Sequence, residues 1–186
     1  MRVLLLAAVL AASACGSDSV SSEGDAQNAY LGLDLSIDKA ITLGFNGFNS
    51  ASSANISPQT TNGTASGTLT VTGQVDQGAS ANKGMRLFTA FASYSDNGEI
   101  TYNTSSTALP ALNMMLLGIP TGTLTGTLVG TVTMTGEEEG ALTLNLTFQG
   151  QLQAGASGIV ERKPGTTHIT GTATSAAGTF NVDVTR

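Results

Sequence analysis

Few side chains in this sequence are equipped for chemistry, and each stands apart from the others. The only cysteine is Cys15 and the only histidine is His168. Zinc needs three or four nitrogen or sulfur ligands around one point. His168 has no second histidine to join it, and it alternates with Thr170 and Thr172 as a residue on the solvent side of a strand does. Glu137-Glu138-Glu139 offers carboxylates to a hard cation, yet it lacks the alternating acidic spacing of a calcium loop. It is expected to be a charged hairpin tip that discourages edge association. No G-x-S-x-G elbow is present, and no acid is placed beside His168 to complete a triad. The acids fall in turns, in the N-terminal stretch or on polar faces, so the paired inward carboxylates of glycoside cleavage are not expected. With no nucleophile, base or metal set to assemble, the chain is expected not to be an enzyme and to need no cofactor.

The remaining candidate site is apolar. Gly122, Gly126 and Gly130 recur on the same strand face as Leu124 and Leu128, and glycine inside a strand marks close approach or sharp curvature. Nearby, "LNMMLLG" (Leu112 to Gly118) is apolar on both faces. Leu112, Met114 and Leu116, with the three glycines, are the candidate wall of an apolar pocket or groove. The plain alternative is a central strand covered on both sides.

Cys15 has a context of its own, "LAASACGSDS" (Leu10 to Ser19). Met1-Arg2 is a minimal positive region, Val3 to Ala12 is apolar, and Ala12-Ser13-Ala14 supplies small residues before the cysteine. That is a secretory signal and not a membrane span, which needs about 20 apolar residues. Ala12-Ser13-Ala14 also fits an ordinary A-x-A cleavage site. The junction resembles a bacterial lipoprotein signal, with Ala12 standing where leucine is usual. The resemblance implies cleavage after residue 14 and acylation of Cys15. It further implies a membrane partner reached through that lipid. Gly16, rather than aspartate, follows the cysteine, which in a diderm cell implies the outer membrane.

These residues need elements to carry them. The expected organisation is a signal peptide at 1–14, a lipidated cysteine and flexible tether at 15–30, and a single β-rich domain at 31–186. The tether is read from the Ser/Gly/Asp-rich stretch Gly16 to Asn28, with one isolated valine. Ile37, Ile41, Phe45 and Phe48 predict a helix over 34–50, capped by Asp34 or Ser36. Gly44 and Gly47 would let it lie close to a sheet. From about Ser66 period two takes over. In "GTLTGTLVGTVTMTG" (Gly122 to Gly136) one face carries Leu124, Leu128, Val132 and Met134 and the other is largely threonine. "ALTLNLTFQGQL" (Ala141 to Leu152) repeats the pattern. The expected fold is mainly β: an antiparallel meander of about eight to ten strands, forming a curved sheet or barrel with one N-terminal helix packed on it. The helix at 34–50 is the expected occupant of the glycine groove.

Composition narrows the partners. Charged residues make up only 11% of the 186 and the net charge is −6, with no basic cluster beyond Arg162-Lys163, so nucleic acid is not an expected partner. Aromatic residues are too few for the girdles of a membrane barrel. The expected role is a structural or interaction module anchored in the cell envelope. The alternative is a carrier of a hydrophobic ligand: a curved sheet over helices is similar in architecture to periplasmic lipoprotein-sorting proteins, with no motif in common.

Overall fold

The computed structural model describes residues 18–186, so the expected signal peptide and Cys15 lie outside the described residues. The chain is mainly β, 54% strand and 16% helix. It begins with β1 (Asp18–Ser19), α1 (Glu23–Leu31) and α2 (Leu35–Ser50). There follow β2 (Asn55–Asn62), β3 (Ser66–Val75), β4 (Lys83–Ser95), β5 (Ile100–Asn103), β6 (Ala111–Leu117), β7 (Thr123–Gly136) and β8 (Glu138–Ala154). The chain closes with β9 (Val160–Arg162), β10 (His168–Thr174) and β11 (Thr179–Thr185).

The sheet order is β11-β10-β8-β7-β5-β4-β3-β2, with β6 also bridging β4 and β7, and β9 and β1 added beside β8. Ten strands are antiparallel and β1 alone is parallel. β5 and β6 lie end to end between the long strands β4 and β7, which makes a small ring in the pairing pattern. β2 and β11 are the two ends of the order and no pairing joins them among the described residues, so the curved sheet stays open.

The binary pattern places the core. Leu124, Leu128, Val132 and Met134 of β7 are buried, as are Leu142, Leu144, Leu146 and Phe148 of β8. Each such side chain contributes about 1.5–3 kcal/mol relative to exposure. Threonine tiles the other face. Cross-strand hydroxyl pairs join Thr131 to Thr143 at 2.8 Å, Thr147 to Thr170 at 3.1 Å and Thr174 to Thr179 at 2.9 Å. These neighbour contacts fix register without long charged side chains.

Folding starts well before the end of the stretch expected to be a tether. Val20 is fully buried, and the Ser175 hydroxyl donates to its carbonyl at 2.6 Å. Ser22 caps α1 by accepting from the Asp25 amide at 3.2 Å. Ala26, Ala29 and Tyr30 face the core, and the Tyr102 hydroxyl donates to the Ala29 carbonyl at 2.7 Å. A helix that docks through alanines is weakly hydrophobic on paper, so the stretch reads as a linker from composition alone.

α2 occupies the expected residues and uses its own glycines to seat itself. A Cβ at Gly44 would come 3.1 Å from the Met85 sulfur, and one at Gly47 would come 2.7 Å from the Ile56 Cβ. Its N-terminus differs from expectation. Asp34 stands at the cap position but its side chain makes no cap hydrogen bond, because Tyr30 and Arg162 take it instead.

The glycine groove is corrected by register. α2 packs on β2, β3, β4 and β9 and not on the glycines of β7. Gly126 lies opposite Phe148, whose ring fills the space: a Cβ there would meet the ring at 2.4 Å. Gly130 backs onto Pro110 with a φ of +150°, and Gly122 sits in the turn entering β7, against the Leu117 carbonyl. Leu112, Met114 and Leu116 all point into the packed core, where they are at most 4% exposed.

Candidate functional site

The open side of the sheet is where ionisable side chains gather. α2 crosses the gap between β2, at one end of the sheet, and β9, which pairs only with the far end of β8. Charged groups hold it from both sides. Arg162, on β9, is 5% exposed at its side chain and makes two forked ion pairs. Its Nη1 and Nη2 donate to the two Asp34 oxygens, each at 2.9 Å. Its Nε and Nη2 donate to the two Asp38 oxygens at 2.8 and 2.7 Å. The buried Tyr30 hydroxyl donates to Asp34 at 2.6 Å, and Arg186 stands 3.5 Å from the same carboxylate.

Geometry sets the protonation states. Burial opposes ionisation of Asp34, but the hydrogen bonds and charge of Arg162 outweigh it and hold the carboxyl below the usual carboxylate range. Burial likewise works against the Arg162 cation, and the bonds from Asp38 and Asp34 prevail, raising its proton affinity. Burial pushes the Tyr30 hydroxyl up, and the Asp34 charge adds to that. The result is an ionised latch whose donors and acceptors are already engaged. It holds the start of α2 against β9.

A second latch grips the other side of α2. Lys39 donates to Asp96, in the turn after β4, at 2.5 Å, and to the Asn62 carbonyl at 3.0 Å. The Thr64 amide and hydroxyl both donate to Asp96 at 2.8 Å, and the Tyr94 hydroxyl donates to it as well. The ammonium also lies 5.2 Å from the centre of the Tyr94 ring. Burial opposes the Asp96 charge, but Lys39, Tyr94 and Thr64 together hold its carboxyl below the usual range.

Between the latches lies a cleft of about 530 Å³. One stripe of α2 forms its floor, including Leu35, Thr42, Leu43 and Asn46; Thr60 and Thr61 of β2 form one wall, and Gln153, Glu161 and Pro164 the other. A continuation of about 540 Å³ runs past Leu35 and Pro164 toward Thr167 and Thr185. No protein-family model, curated protein or solved structure matches the chain. The reading of this cleft therefore rests on its own chemistry, which is that of aliphatic surface from Leu35, Leu43 and Pro164 beside amides, hydroxyls and the charged latch residues.

The residues singled out from sequence disperse. His168 gains the acid partner that sequence reasoning did not give it: its Nε2 is 2.8 Å from Asp183, on the neighbouring strand β11. Both lie on the open outer face, 45% and 72% exposed at the side chain. Glu137 and Glu139 are exposed at the hairpin tip, whereas Glu138 is buried beside β1. Of the six apolar candidates, Gly126 and Met114 together line a shallow depression of about 510 Å³, which meets a second of about 320 Å³ at Gly126. Of the other four, Leu112 and Leu116 lie in the core, Gly130 backs onto Pro110 and Gly122 sits in the turn before β7. A row of exposed apolar side chains crosses that face, Phe88 and Val129 flanking Ala111, with Met115 and Leu117 beyond. Among the described residues no group of three or more His, Cys, Asp or Glu is arranged to hold a metal ion, and no helix is long and apolar enough to cross a membrane.

Sequence reasoning missed the latches. Their one legible trace is Arg162 on a strand whose other residues alternate inward and outward. Arg162 and Lys163 read as a small basic cluster, yet adjacent strand residues point to opposite sides, and only Lys163 remains at the surface.

Proposed function

We propose that the chain is an extracytoplasmic lipoprotein, acylated at Cys15, whose folded body is a structural or interaction module without catalytic activity. The observation that carries this reading is the junction at Cys15. An apolar leader and small residues precede a lone cysteine, and a polar stretch follows it. The body supports a holding role. Its buried carboxylates are locked to Arg162 and Lys39 as structural pairs, and its outer face is tiled with paired threonine hydroxyls, with His168 and Asp183 meeting in the open. The carrier alternative loses support, because Leu112, Met114 and Leu116, offered as its wall, are packed against one another's neighbours in the core.

Metabolic labelling with a fatty-acid analogue tests the anchor. Wild-type chain takes up label and fractionates with membranes, and Cys15→Ser loses both. An unlabelled wild type would overturn the reading.

A further inference from the structure

We infer that the cleft over α2 is a strand-addition site: it takes an extended, neutral-to-basic polypeptide segment that pairs with the free edge of β2. This deepens the interaction-module reading by naming a class of partner, and it does not depend on the lipid.

β2 pairs only with β3, so its second edge carries N–H and C=O groups with no strand beside them. The opposite end of the sheet differs, since α1 lies against β11 and Asn181 donates to Glu23 at 2.8 Å. Pro58 and the register shift between Ile56 and Gln59 blunt the first half of β2. The Lys39 ammonium takes the Asn62 carbonyl at the other end. What remains open is the run from Gln59 to Thr61, of which Thr60 and Thr61 line the cleft. A segment seated there meets the pattern used by strand-adding domains: main-chain pairing for affinity, and side-chain contacts on alternate residues for selectivity. Leu35 and Leu43 on the floor accept apolar side chains.

Charge chooses the segment. The two cations of the lining, Lys39 and Arg162, are committed to Asp96 and to Asp34 with Asp38. Glu161, on the far wall, has no hydrogen-bond or ion-pair partner among the described residues and stands 2.2 Å from where a Cβ on Gly155 would sit, directed over bare backbone. A lysine or arginine on the incoming strand complements it; a carboxylate does not.

The test uses the purified full chain and one defined probe. That probe is an acetylated, amidated peptide with the β3 sequence Gly67–Gly73 between two terminal lysines. A glutamate-flanked version serves for comparison. Amide hydrogen exchange is followed residue by residue. At saturating lysine-flanked peptide the amides across Gln59–Asn62 slow at least about tenfold, while those of β7 are unchanged. The lysine version binds about two- to fivefold tighter than the glutamate version, and Glu161→Lys reverses that preference. Asn46→Trp, at an exposed floor position, weakens both by filling the cleft. Three results would each overturn the inference: no slowing on β2 at millimolar peptide, slowing confined to another edge or to the outer face, or slowing that rises with protein concentration when peptide is absent. The last would assign the edge to a second copy of the chain. Fatty-acid labelling is read separately, so failure of the anchor and failure of the cleft are told apart.

Discussion

A buried arginine that satisfies two carboxylates is costly to break from one side. Replacing Arg162 with methionine leaves Asp34 and Asp38 facing each other with only the half-exposed Arg186 nearby, and unpairing a buried charge costs about 3–5 kcal/mol. We expect Arg162→Met to lower the unfolding free energy by that amount, read as a lower urea midpoint with an unchanged transition slope. Replacing Asp34 with leucine in the same chain removes the stranded charge and returns part of the loss. A double variant no better than the single one would mean that α2 is not held by this pair. Acid reports on the same groups. Asp34 and Asp96 have folded-state proton affinities below their ordinary values. Their stabilisation is therefore present above about pH 4, the unfolded carboxylate value, and is lost as pH falls through the lower folded values. Acid unfolding followed by circular dichroism should begin below about pH 4 in the wild type. Alkali acts with the opposite sign. All three tyrosines, Tyr30, Tyr94 and Tyr102, are fully buried, and burial, with Asp34, Asp96 and Glu138 nearby, raises each. Stability is complete below about pH 10 and declines above it, because the unfolded chain ionises there and the folded chain does not. Tyrosinate absorbance should then appear together with unfolding, and a native phase with free tyrosinate would contradict the packing.

Elements were legible where a periodicity was long and strong, and hidden where burial came through small or isolated side chains. β7 and β8 announce themselves through alternating Leu and Thr, and α2 through Ile37, Ile41, Phe45 and Phe48. α1 does not, since its buried face is Ala26, Ala29 and Tyr30, and alanine carries little hydropathic weight. β2 has one buried apolar residue, Ile56, and a proline, so nothing in its sequence reads as a strand. The filling of Gly126 by Phe148 was out of reach for another reason: it depends on pairing register, which a single strand does not contain. The latches share that limit, because Arg162 and Asp34 are 128 positions apart. The docked state of α1 is open to test. Ala29→Asp puts a carboxylate at a fully buried position beside the Tyr102 hydroxyl, and should destabilise the whole domain by about 3 kcal/mol or more. A flexible tether would tolerate the change, so unaltered thermal unfolding would restore the linker reading. Gly47→Ala tests the seat of α2. The added methyl would lie 2.7 Å from Ile56 and should cost about 1–3 kcal/mol by overpacking, despite the better helix propensity of alanine.

At the scale of the whole molecule, the early start of the fold changes how the proposed anchor would hold it. The stretch from Gly16 to Asn28, taken as a random coil, would reach about 20 Å. With β1 already in place at Asp18, only Gly16 and Ser17 lie between Cys15 and the body, three Cα steps that span at most about 11 Å. The end of the sheet at that point is acidic. β1 lies beside Glu138 and Glu139, and the Glu137 amide donates to the Glu99 carbonyl at 3.0 Å. Asn28 lies 3.5 Å from Glu137, and Glu23 and Asp25 open α1. Much of the net charge of −6 would thus face the lipid headgroups, with the threonine-covered sheet rising away from them and the cleft over α2 left open to solution. A zwitterionic surface would leave that end undisturbed, whereas an anionic one would repel it within the roughly 10 Å range of electrostatics at 0.1 M salt. Neutron reflectometry on the lipidated chain at a supported bilayer should find the body close to a zwitterionic surface at all salt concentrations. On an anionic bilayer the body should stand off by up to the length of the short link, and return as salt is raised. Glu137→Gln with Glu139→Gln should shrink the displacement. A salt-independent height well beyond the link would mean that the chain attaches by some route other than Cys15.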